Sequence, residues 1–461
     1  MKSNSITSRR DFLRLSAITG TVFGADTALV GSATRAAVQN RGSAKNVIFM
    51  VSDGMNIGAL TLARRYQLVV QGRETPWMQL YRERPVVRAL METASASSLV
   101  TDSAAAASAW GGGQRVRNGI INLHPETKAP LEPLHLAVQK SGRRTGLVST
   151  ATITHATPAG FAVNCDDRGK EEEIAVQYLD RKVDLLLGGG QKFFNDALRA
   201  RYAAAGYDVV DSREGLRALP RGIFKPLLGV FSSSHMPFSI DHVSVPEIAA
   251  KVPPLAEMSR AALERLRHAP EGFFLMIEGA RIDHAGHAND SAASIHDQLA
   301  FEDAMTVVLE FIDKNPDTLL IVTTDHGCGG IQLNGVSADA KQGFSPGLYN
   351  ATDAFFARLQ KFQRSFEWMR QNKVDSLSGP KLAEELLRFT GLTLTEDQIK
   401  AAQGLRKLAE IVGELTGVGW TGGNHTGDLV EFCALGPGSH LFPAFLLNSD
   451  VYGLVRKAMA V

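Results

Sequence analysis

The stretch NVIFMVSD, residues 46–53, is an apolar run that ends in an acidic residue, Asp53. Continuous apolar runs of this length are typical of strands that are buried on both faces of a parallel sheet. Helical patterns, such as the amphipathic stretch Leu255–His268, alternate with further runs of the same kind. This alternation predicts an α/β fold, with a doubly wound, mostly parallel central sheet and helices on both faces. The further runs are Thr145–Ser149 (TGLVS), Val183–Leu187 (VDLLL), Phe273–Ile277 (FFLMI) and Thr318–Thr323 (TLLIVT).

The sequence changes character between about residues 337 and 420, where apolar strand runs are absent. Helical patterns replace them, and Thr395 with Gln398 has the spacing of a capping box. Strand-like sequence returns at Asp428–Ala434. We therefore interpret residues 337–420 as a mainly helical insertion near the C-terminal third, and not as an independent domain. Its predicted helices lie at Asp353–Gln371, Lys381–Thr390 and Leu405–Leu415.

The N-terminal segment, residues 1–36, differs from the rest of the chain. Arg9 and Arg10 precede a weakly apolar stretch of small residues that ends near Ala36. This order resembles an export signal of the twin-arginine type, which is removed from the mature protein. The stretch is too polar to form a stable membrane span. We therefore expect a periplasmic or secreted protein.

Composition narrows the class of protein. The 461 residues carry a net charge of +1, so we expect no nucleic-acid-binding module. No later segment has about 18 consecutive apolar residues, so we expect no membrane span in the mature chain. The three cysteines, Cys165, Cys328 and Cys433, are too few over this length for a disulfide framework. We interpret Cys165 and Cys328 as packed small residues.

Side chains that can bind metals follow four of the predicted strands. They are Asp53, His155 with Thr157, Glu278, and Asp325 with His326. In open α/β sheets, ligands bind outside the carboxyl ends of the strands, so these residues should meet at one edge. Asp53 has two carboxylate oxygens and could bridge two ions. Thr157 and Glu278 offer only oxygen, which suits a harder ion such as Mg²⁺.

A further cluster lies in EGARIDHAGHAND, residues 278–290. If a helix begins there, Asp283 and His287 are four residues apart and share one face. Carboxylate and imidazole together suit Zn²⁺, and His425 offers another imidazole from the glycine-flanked loop GGNHTG. Considered alone, Asp283 and His287 could equally be an acid–histidine pair on the surface of a helix.

The stretch VTDSAAAASAW, residues 100–110, has two interpretations. Ser103 lies where a helix begins, so it is either an N-cap or a nucleophile held at the helix N-terminus. The backbone N–H groups and the dipole of such a terminus favour a phosphate anion. On this stretch alone the N-cap is the favoured interpretation, since Ser, Thr and Asp are common N-caps.

Six motifs resemble those of the alkaline phosphatase family, and they occur in the family's order. We therefore assign residues 45–461 to an alkaline phosphatase-like catalytic domain. The motifs are VSDG (51–54), VTDSAAAASAW (100–110), HATPAGF (155–161), EGARIDHAGHAND (278–290), TTDHG (323–327) and NHTG (424–427).

The resemblance implies two zinc ions and one magnesium ion. The implied ligands are Asp283, His287 and His425 for one zinc; Asp53, Asp325 and His326 for the other, beside Ser103; and Asp53, Thr157 and Glu278 for magnesium, with His155 behind them. Family members differ at the positions that match His155 and His284, and some carry acidic or lysine residues there. The behaviour of that acid/lysine type is therefore not assumed for this chain.

The resemblance also implies an activity. Phosphate monoesters would be hydrolysed to an alcohol and inorganic phosphate through a covalent phosphoserine on Ser103. Arg168 would bind the phosphate group, Asp102 would orient Arg168, and His284 is a further candidate for a phosphate contact. Members of the family are often dimers, so the resemblance suggests a homodimer, but nothing in this chain's own pattern indicates an interface.

Two other functions remain open from the sequence. Related metal hydrolases on similar folds cleave phosphodiesters or sulfate esters, usually with Thr, Cys or a modified residue as the nucleophile. Ser103, Thr157 and Glu278 favour the monoesterase. An exported protein that only binds phosphate or zinc would explain the ligands, but not a serine and a matching arginine among them.

Overall fold

A computed structural model describes residues 43–334 and 351–461. The predicted export signal at residues 1–36 lies outside the described residues, as does the part of the predicted insertion before residue 351.

The strands are β1 (Asn46–Val51), β2 (Val87–Glu92), β3 (Arg144–Thr152), β4 (Leu185–Gly189), β5 (Asp208–Val210), β6 (Leu227–Val230), β7 (Phe273–Glu278), β8 (Thr318–Thr323), β9 (Gly327–Cys328), β10 (Gln332–Leu333), β11 (Val418–Gly419), β12 (His425–Thr426), β13 (Val430–Leu435) and β14 (Phe445–Leu447).

Helices in the described residues surround the sheet, and several of them form the segment at residues 353–416, before the last strands. They are α1 (Ile57–Gln71), α2 (Pro76–Glu83), α3 (Ser103–Gly112), α4 (Leu134–Lys140), α5 (Ala156–Gly160), α6 (Glu171–Asp180), α7 (Asp196–Ala204), α8 (Arg213–Ala218), α9 (Ser239–Ser244), α10 (Pro246–Lys251), α11 (Leu255–Leu266), α12 (Arg281–Ala288), α13 (Ser291–Lys314), α14 (Asp353–Phe356), α15 (Phe366–Gln371), α16 (Gly379–Thr390), α17 (Glu396–Ala401), α18 (Leu408–Thr416) and α19 (Asp450–Met459). Short 3₁₀ helices occur at Gln191–Phe193, Ala357–Lys361, Val374–Ser376, Gln403–Leu405 and Ser439–Leu441.

The central sheet has ten strands in the order β14-β2-β13-β8-β1-β7-β3-β4-β6-β5. Neighbouring strands are parallel, except that β13 runs antiparallel to β2 and β8. The predicted doubly wound, mostly parallel α/β sheet is therefore confirmed. Strands β8, β1, β7 and β3 are adjacent, so their carboxyl ends lie side by side at the middle of one sheet edge.

Two hydrophobic cores lie on opposite faces of this sheet. On β1, Ile48 and Met50 belong to one core, whereas Val47, Phe49 and Val51 belong to the other. Helices α1, α11 and α13 contribute to the first core, and α3, α4, α6 and α19 contribute to the second. Because both faces of the central strands are covered, these strands appear in the sequence as continuous apolar runs rather than as alternating patterns.

Polar side chains determine where several helices begin. The capping box predicted for Thr395 and Gln398 is present at the start of α17. The single helix predicted for Asp353–Gln371 is wrong, because the chain forms α14, a 3₁₀ helix and then α15. Ser365 caps α15 by accepting a hydrogen bond from the N–H of Trp368, and its own N–H donates to buried Asp241 at 2.9 Å. The preceding 3₁₀ helix ends at Lys361, and the extended Ser365 begins a separate helix as its N-cap.

The helices at residues 353–416 pack on the same core as the sheet. Phe366, Leu386 and Val412 belong to the apolar cluster that also contains side chains of α1 and α13. Strand β11, which follows this segment, pairs with β10 in antiparallel register. Shared packing of this kind supports the interpretation of an insertion, which stays a prediction.

Two expectations from composition can be compared with the described residues. None of the helices in residues 43–334 and 351–461 combines the length and apolarity that a membrane crossing requires. The three cysteines are buried, and none of them forms a disulfide.

Helices α3 and α5 approach each other at backbone distance. A Cβ atom on Gly160 would lie 2.5 Å from Cβ and 2.8 Å from the carbonyl carbon of Ala107. A Cβ atom on Gly111 would lie 2.0 Å from the carbonyl oxygen of Gly160. Alanine and glycine therefore fix the spacing between Ser103, the first residue of α3, and Thr157 on α5.

The substitution Gly160→Ala should lower the free energy of unfolding by about 1–3 kcal/mol, because the added methyl group overpacks the contact with α3. Gly453→Ala on α19 is the matched control, since nothing lies within 4 Å of its added Cβ. That control should raise stability by roughly 0.5–1 kcal/mol, as expected for a glycine replaced inside a helix. Urea unfolding measures both, and equal stabilities would contradict the close packing.

Candidate active site and metal centre

The strand ends bring three carboxylates into the interior. Asp53 follows β1, Glu278 ends β7, and Asp325 follows β8; all three are fully buried. Among the described residues, neither carboxylate oxygen of Asp53 has a hydrogen-bond partner. Burial, together with the negative charges of Asp325 and Asp283, raises the pKa of Asp53 well above its usual range. Carboxylates gathered in this way require cations to offset their charge.

One group that could hold an ion consists of Asp53, Asp325 and His326, whose ligand-type atoms all lie within 4.8 Å of one another. His326 Nε2 lies 3.0 Å from Asp325 Oδ2 and 3.8 Å from Asp53 Oδ1. The same nitrogen lies 3.3 Å from Ser103 Oγ. An ion at this position would therefore lie beside the serine hydroxyl.

Ser103 is the first residue of α3, but it is not the cap. The cap is Asp102, which accepts a hydrogen bond from the N–H of Ala105 at 2.9 Å. The interpretation of Ser103 as a helix N-cap is therefore wrong. Because Asp102 satisfies the helix terminus, the Ser103 hydroxyl is free to face His326.

A second group surrounds His287 and His425. Their Nδ1 atoms lie 2.7 Å and 2.8 Å from the backbone carbonyl oxygens of Gly423 and Thr101. A carbonyl oxygen only accepts hydrogen bonds, so each Nδ1 carries a proton, and each neutral ring presents a lone pair at Nε2. The two Nε2 atoms are 3.0 Å apart. Two lone pairs at this distance repel each other unless a proton or a metal ion lies between them.

Asp283 completes this second group and makes it suitable for zinc. Its two oxygens lie 3.4 Å from His287 Nε2 and 3.4 Å from His425 Nε2. Ligand atoms of a tetrahedral zinc ion are roughly 3.3 Å apart, so each of these separations is close to the spacing that zinc requires. Although burial opposes it, the hydrogen bond and negative charge of the Asp283 carboxylate raise the pKa of His425 to about 9.

The second group comes from two separate parts of the chain. Asp283 and His287 lie on α12, four residues apart as predicted. His425 lies on β12, which pairs in antiparallel register with β9 immediately after the Asp325-His326 pair. Two short strands therefore bring the last histidine to the edge where the central strands end.

A third group lies on the other side of Asp53. Ligand-type atoms of Asp53, His155 and Glu278 lie within 4.8 Å of one another. Thr157 Oγ1 is buried and has no hydrogen-bond partner in the part of the chain that the structure describes. Burial raises the pKa of Glu278 to about 7, although the Ser149 hydroxyl donates to its carboxylate. This donor set, rich in oxygen, suits a hard cation such as Mg²⁺.

Arg168 connects the third group to Ser103. Its Nη1 donates to Asp102 Oδ2 at 3.0 Å, and its Nη2 donates to His155 Nε2 at 2.9 Å. Because a guanidinium group only donates, the neutral ring of His155 carries its proton on Nδ1. His155 can therefore donate towards a ligand or a water molecule of this group.

Sequence reasoning missed His235 and Arg281, which both contact His284. The ring of His235 lies 4.4 Å from that of His284, between centroids, and Arg281 donates to His284 Nδ1 at 2.8 Å. Arg281 also bonds Glu367 on α15. Burial lowers the pKa of His235 to about 4 and that of His284 well below its usual value, so both rings stay neutral. The position of His235 after strand β6 was the available signal.

The sequence predictions for the site can be compared with these positions. The implied ligands, Ser103, Arg168 and Asp102 all meet at the edge formed by β8, β1, β7 and β3. His284 lies farther out, beside His155, with their ring centroids 5.8 Å apart. Cys328, interpreted from the sequence as a packed residue, lies with the second group.

Comparison with known proteins identifies the family. Residues 44–461 match the family described as alkaline phosphatase. Alkaline phosphatase 3 of Bacillus subtilis is 30% identical over 442 residues, which cover 91% of this chain and 90% of that protein. Alkaline phosphatase of Escherichia coli is 30% identical over 419 residues, which cover 79% and 87%.

A solved structure agrees with the sequence comparisons. The crystal structure of Thermus thermophilus alkaline phosphatase is 32% identical in sequence and superimposes with a TM-score of 0.81, covering 93% of this chain and 94% of that one. The chain therefore belongs to the alkaline phosphatase family, and it is a phosphoric monoester hydrolase.

Proposed function

We propose that the protein hydrolyses phosphate monoesters through a covalent phosphoserine on Ser103. The observation that carries this proposal is the 3.3 Å distance between Ser103 Oγ and His326 Nε2, inside the group formed with Asp53 and Asp325. A free serine hydroxyl is a weak nucleophile, and an adjacent metal ion activates it.

We assign three ions to the three groups. Asp283, His287 and His425 would hold one zinc ion; Asp53, Asp325 and His326 would hold the other; and Asp53, Thr157 and Glu278 would hold magnesium, with His155 donating to a water molecule or a ligand there. When bound, the ions would stabilise the negative charge that develops on the attacking and leaving oxygens. The buried carboxylates and the unpartnered Thr157 hydroxyl support this assignment.

Arg168 and the start of α3 would hold the phosphate group. The guanidinium fork can bind two phosphate oxygens, and Asp102 fixes its orientation. The N-terminus of α3 adds backbone N–H groups and a positive dipole beside Ser103. His284 accepts from Arg281 at Nδ1, so its neutral ring offers an Nε2–H donor to the substrate.

The reaction consists of two displacements at phosphorus. In the first, Ser103 Oγ bonds to phosphorus as the bond to the alcohol oxygen breaks. The serine proton is released and the alcohol leaves in protonated form. In the second, water attacks the phosphoserine, inorganic phosphate is released and the serine hydroxyl is restored. Arg168 holds the non-bridging oxygens through both steps, which are limited mainly by positioning and charge stabilisation.

Replacing Ser103 with Ala should abolish trapping of labelled phosphate and lower kcat by on the order of 10³-fold or more. Metal content should change little, because the ligands remain. Ser108→Ala on the same helix is the control, because the Ser108 hydroxyl accepts a hydrogen bond from the backbone N–H of Asn122 and is not among the assigned ligands. Acid-quenched labelling measures the phosphoenzyme, and label retained by the Ser103 variant would contradict the nucleophile.

Removing metal ions with a chelator should abolish activity and lower the midpoint of thermal unfolding. The physical reason is that Asp53, Glu278, Asp283 and Asp325 then repel one another inside the protein. Zinc and magnesium together should restore both properties. Metal analysis, calorimetry and a chromogenic monoester measure the effects. Full activity in protein shown to be free of metal would refute the proposed chemistry.

Location and assembly lie beyond the site. We propose export by a twin-arginine-type signal at residues 1–36, and a homodimer as in many members of the family. The support for export is the pair Arg9-Arg10 ahead of a weakly apolar stretch.

Replacing both Arg9 and Arg10 with Lys should leave the precursor in the cytoplasm, because this export route requires the arginine pair. Arg14→Lys keeps the pair and serves as the matched control. Fractionation of a bacterial host that has the twin-arginine translocase, followed by immunoblotting, locates both variants. Export of the double variant at the rate of the unaltered chain would refute this route.

A further inference from the structure

Cys328 lies among the residues of the second metal group. Its sulfur and the ligand-type atoms of Asp283, His287 and His425 all lie within 4.8 Å of one another. The residue is 1% exposed and forms no disulfide. Two imidazoles, a carboxylate and a thiol are together the ligand types that bind zinc in proteins.

The backbone explains why the thiol reaches this position. Cys328 lies on β9 directly opposite His425 on β12. On its other side it contacts Gly286, where a Cβ atom would lie only 2.9 Å from the sulfur. Gly286 lies between Asp283 and His287 on α12. The absence of a side chain there lets the thiol approach the face of the helix that carries both ligands.

The number of ligands that zinc takes is relevant to the thiol. Asp283, His287 and His425 supply three ligands, whereas zinc usually takes four. Asp283 is 4% exposed, and its Oδ1 has no hydrogen-bond partner in the described residues. A cation bound to Asp283 would need a further donor nearby, and Cys328 is a neighbouring side chain of suitable chemistry.

We propose that the thiolate of Cys328 is a fourth protein ligand of the ion held by Asp283, His287 and His425. This inference rests on the metal binding given under Proposed function. When the ion binds, the S–H bond breaks, a metal–sulfur bond forms and the proton passes to solvent, so no oxidant or reductant is required. Zinc can expand to five ligands, so the thiolate leaves access for phosphate. A soft sulfur ligand favours zinc, cobalt and cadmium over magnesium and manganese at this site.

The other cysteines provide internal controls. The Cys165 thiol donates to the carbonyl oxygen of Asp167, and Cys433 lies on β13 in the core. Neither belongs to any of the metal groups found among the described residues. Sulfur ligation in this chain would therefore come from Cys328.

The test is the absorption spectrum of the full chain after its ions are replaced with cobalt(II). We expect visible ligand-field bands together with a near-ultraviolet charge-transfer band from sulfur to cobalt. Cys328→Ser should lose the charge-transfer band and keep the visible bands, whereas Cys165→Ser and Cys433→Ser should keep both. Competition with a chromophoric chelator should show zinc affinity lowered on the order of 10-fold or more in the Cys328 variant.

The spectrum of the unaltered chain is decisive by itself, so the test does not depend on a variant that folds. Visible bands without the charge-transfer band would overturn the sulfur ligand and leave the proposed phosphatase site intact. Failure to bind cobalt or zinc at all would refute both the sulfur ligand and the proposed metal chemistry. A charge-transfer band that persists in Cys328→Ser and in Cys328→Ala would assign the sulfur to another residue and overturn the proposal.

Discussion

The structure depends first of all on the burial of four carboxylates close together. They belong to Asp53, Glu278, Asp283 and Asp325. Parallel strands that are neighbours in the sheet end at one edge, and three of these acids lie at those ends. Water cannot offset their charge there. Despite burial, neighbouring histidines lower the pKa of Asp283 and Asp325, whereas burial raises the pKa of Asp53 and of Glu278. The fold therefore gathers negative charge that cations would offset. The stability of this region and its chemistry would both depend on the same bound ions.

The histidines around these acids fall into two classes according to which atom holds the proton. His287 and His425 donate to backbone carbonyls and present lone pairs, which is the form that binds a metal. His155 and His284 accept from arginines and present N–H groups, which is the form that binds an anion or a water ligand. A hydrogen bond to a backbone carbonyl thus prepares a histidine to bind a metal ion, whereas a hydrogen bond from a guanidinium group prepares it to bind phosphate.

The sequence predicts β1, β7 and β8 to within one residue, because strands buried on both faces give unbroken apolar runs. It does not predict β2, whose sequence VRALME carries charges and whose side chains are only partly buried. The antiparallel direction of β13 is also absent from the pattern, since a strand's composition does not record its direction. The local sequence therefore predicts buried strands and helices well, but it predicts poorly which strands pair and in which direction they run.

The same distinction applies to the site. Ligands that follow strands, such as Asp53 and Asp325, can be predicted from the sequence because the carboxyl ends of parallel strands lie at one edge of the sheet. The proximity of Cys328 to His425 cannot be predicted from the sequence, since it depends on the pairing of β9 with β12. Arg281 is within a recognisable motif, but its partner Glu367 lies on a distant helix. Residues whose roles depend on contacts between distant segments escape sequence reasoning.

The pairing of β12 with β9 has a consequence for folding order. The helices between residues 351 and 417 separate His425 from Asp283 along the chain, so the contact between these two residues closes a long loop. Closing so long a loop costs conformational entropy, and contacts between distant residues form slowly. An ion bound by both residues would act as a reversible cross-link between early and late parts of the chain. Its release would then be the slow step of unfolding, and resistance to denaturation would be set by the rate of ion loss.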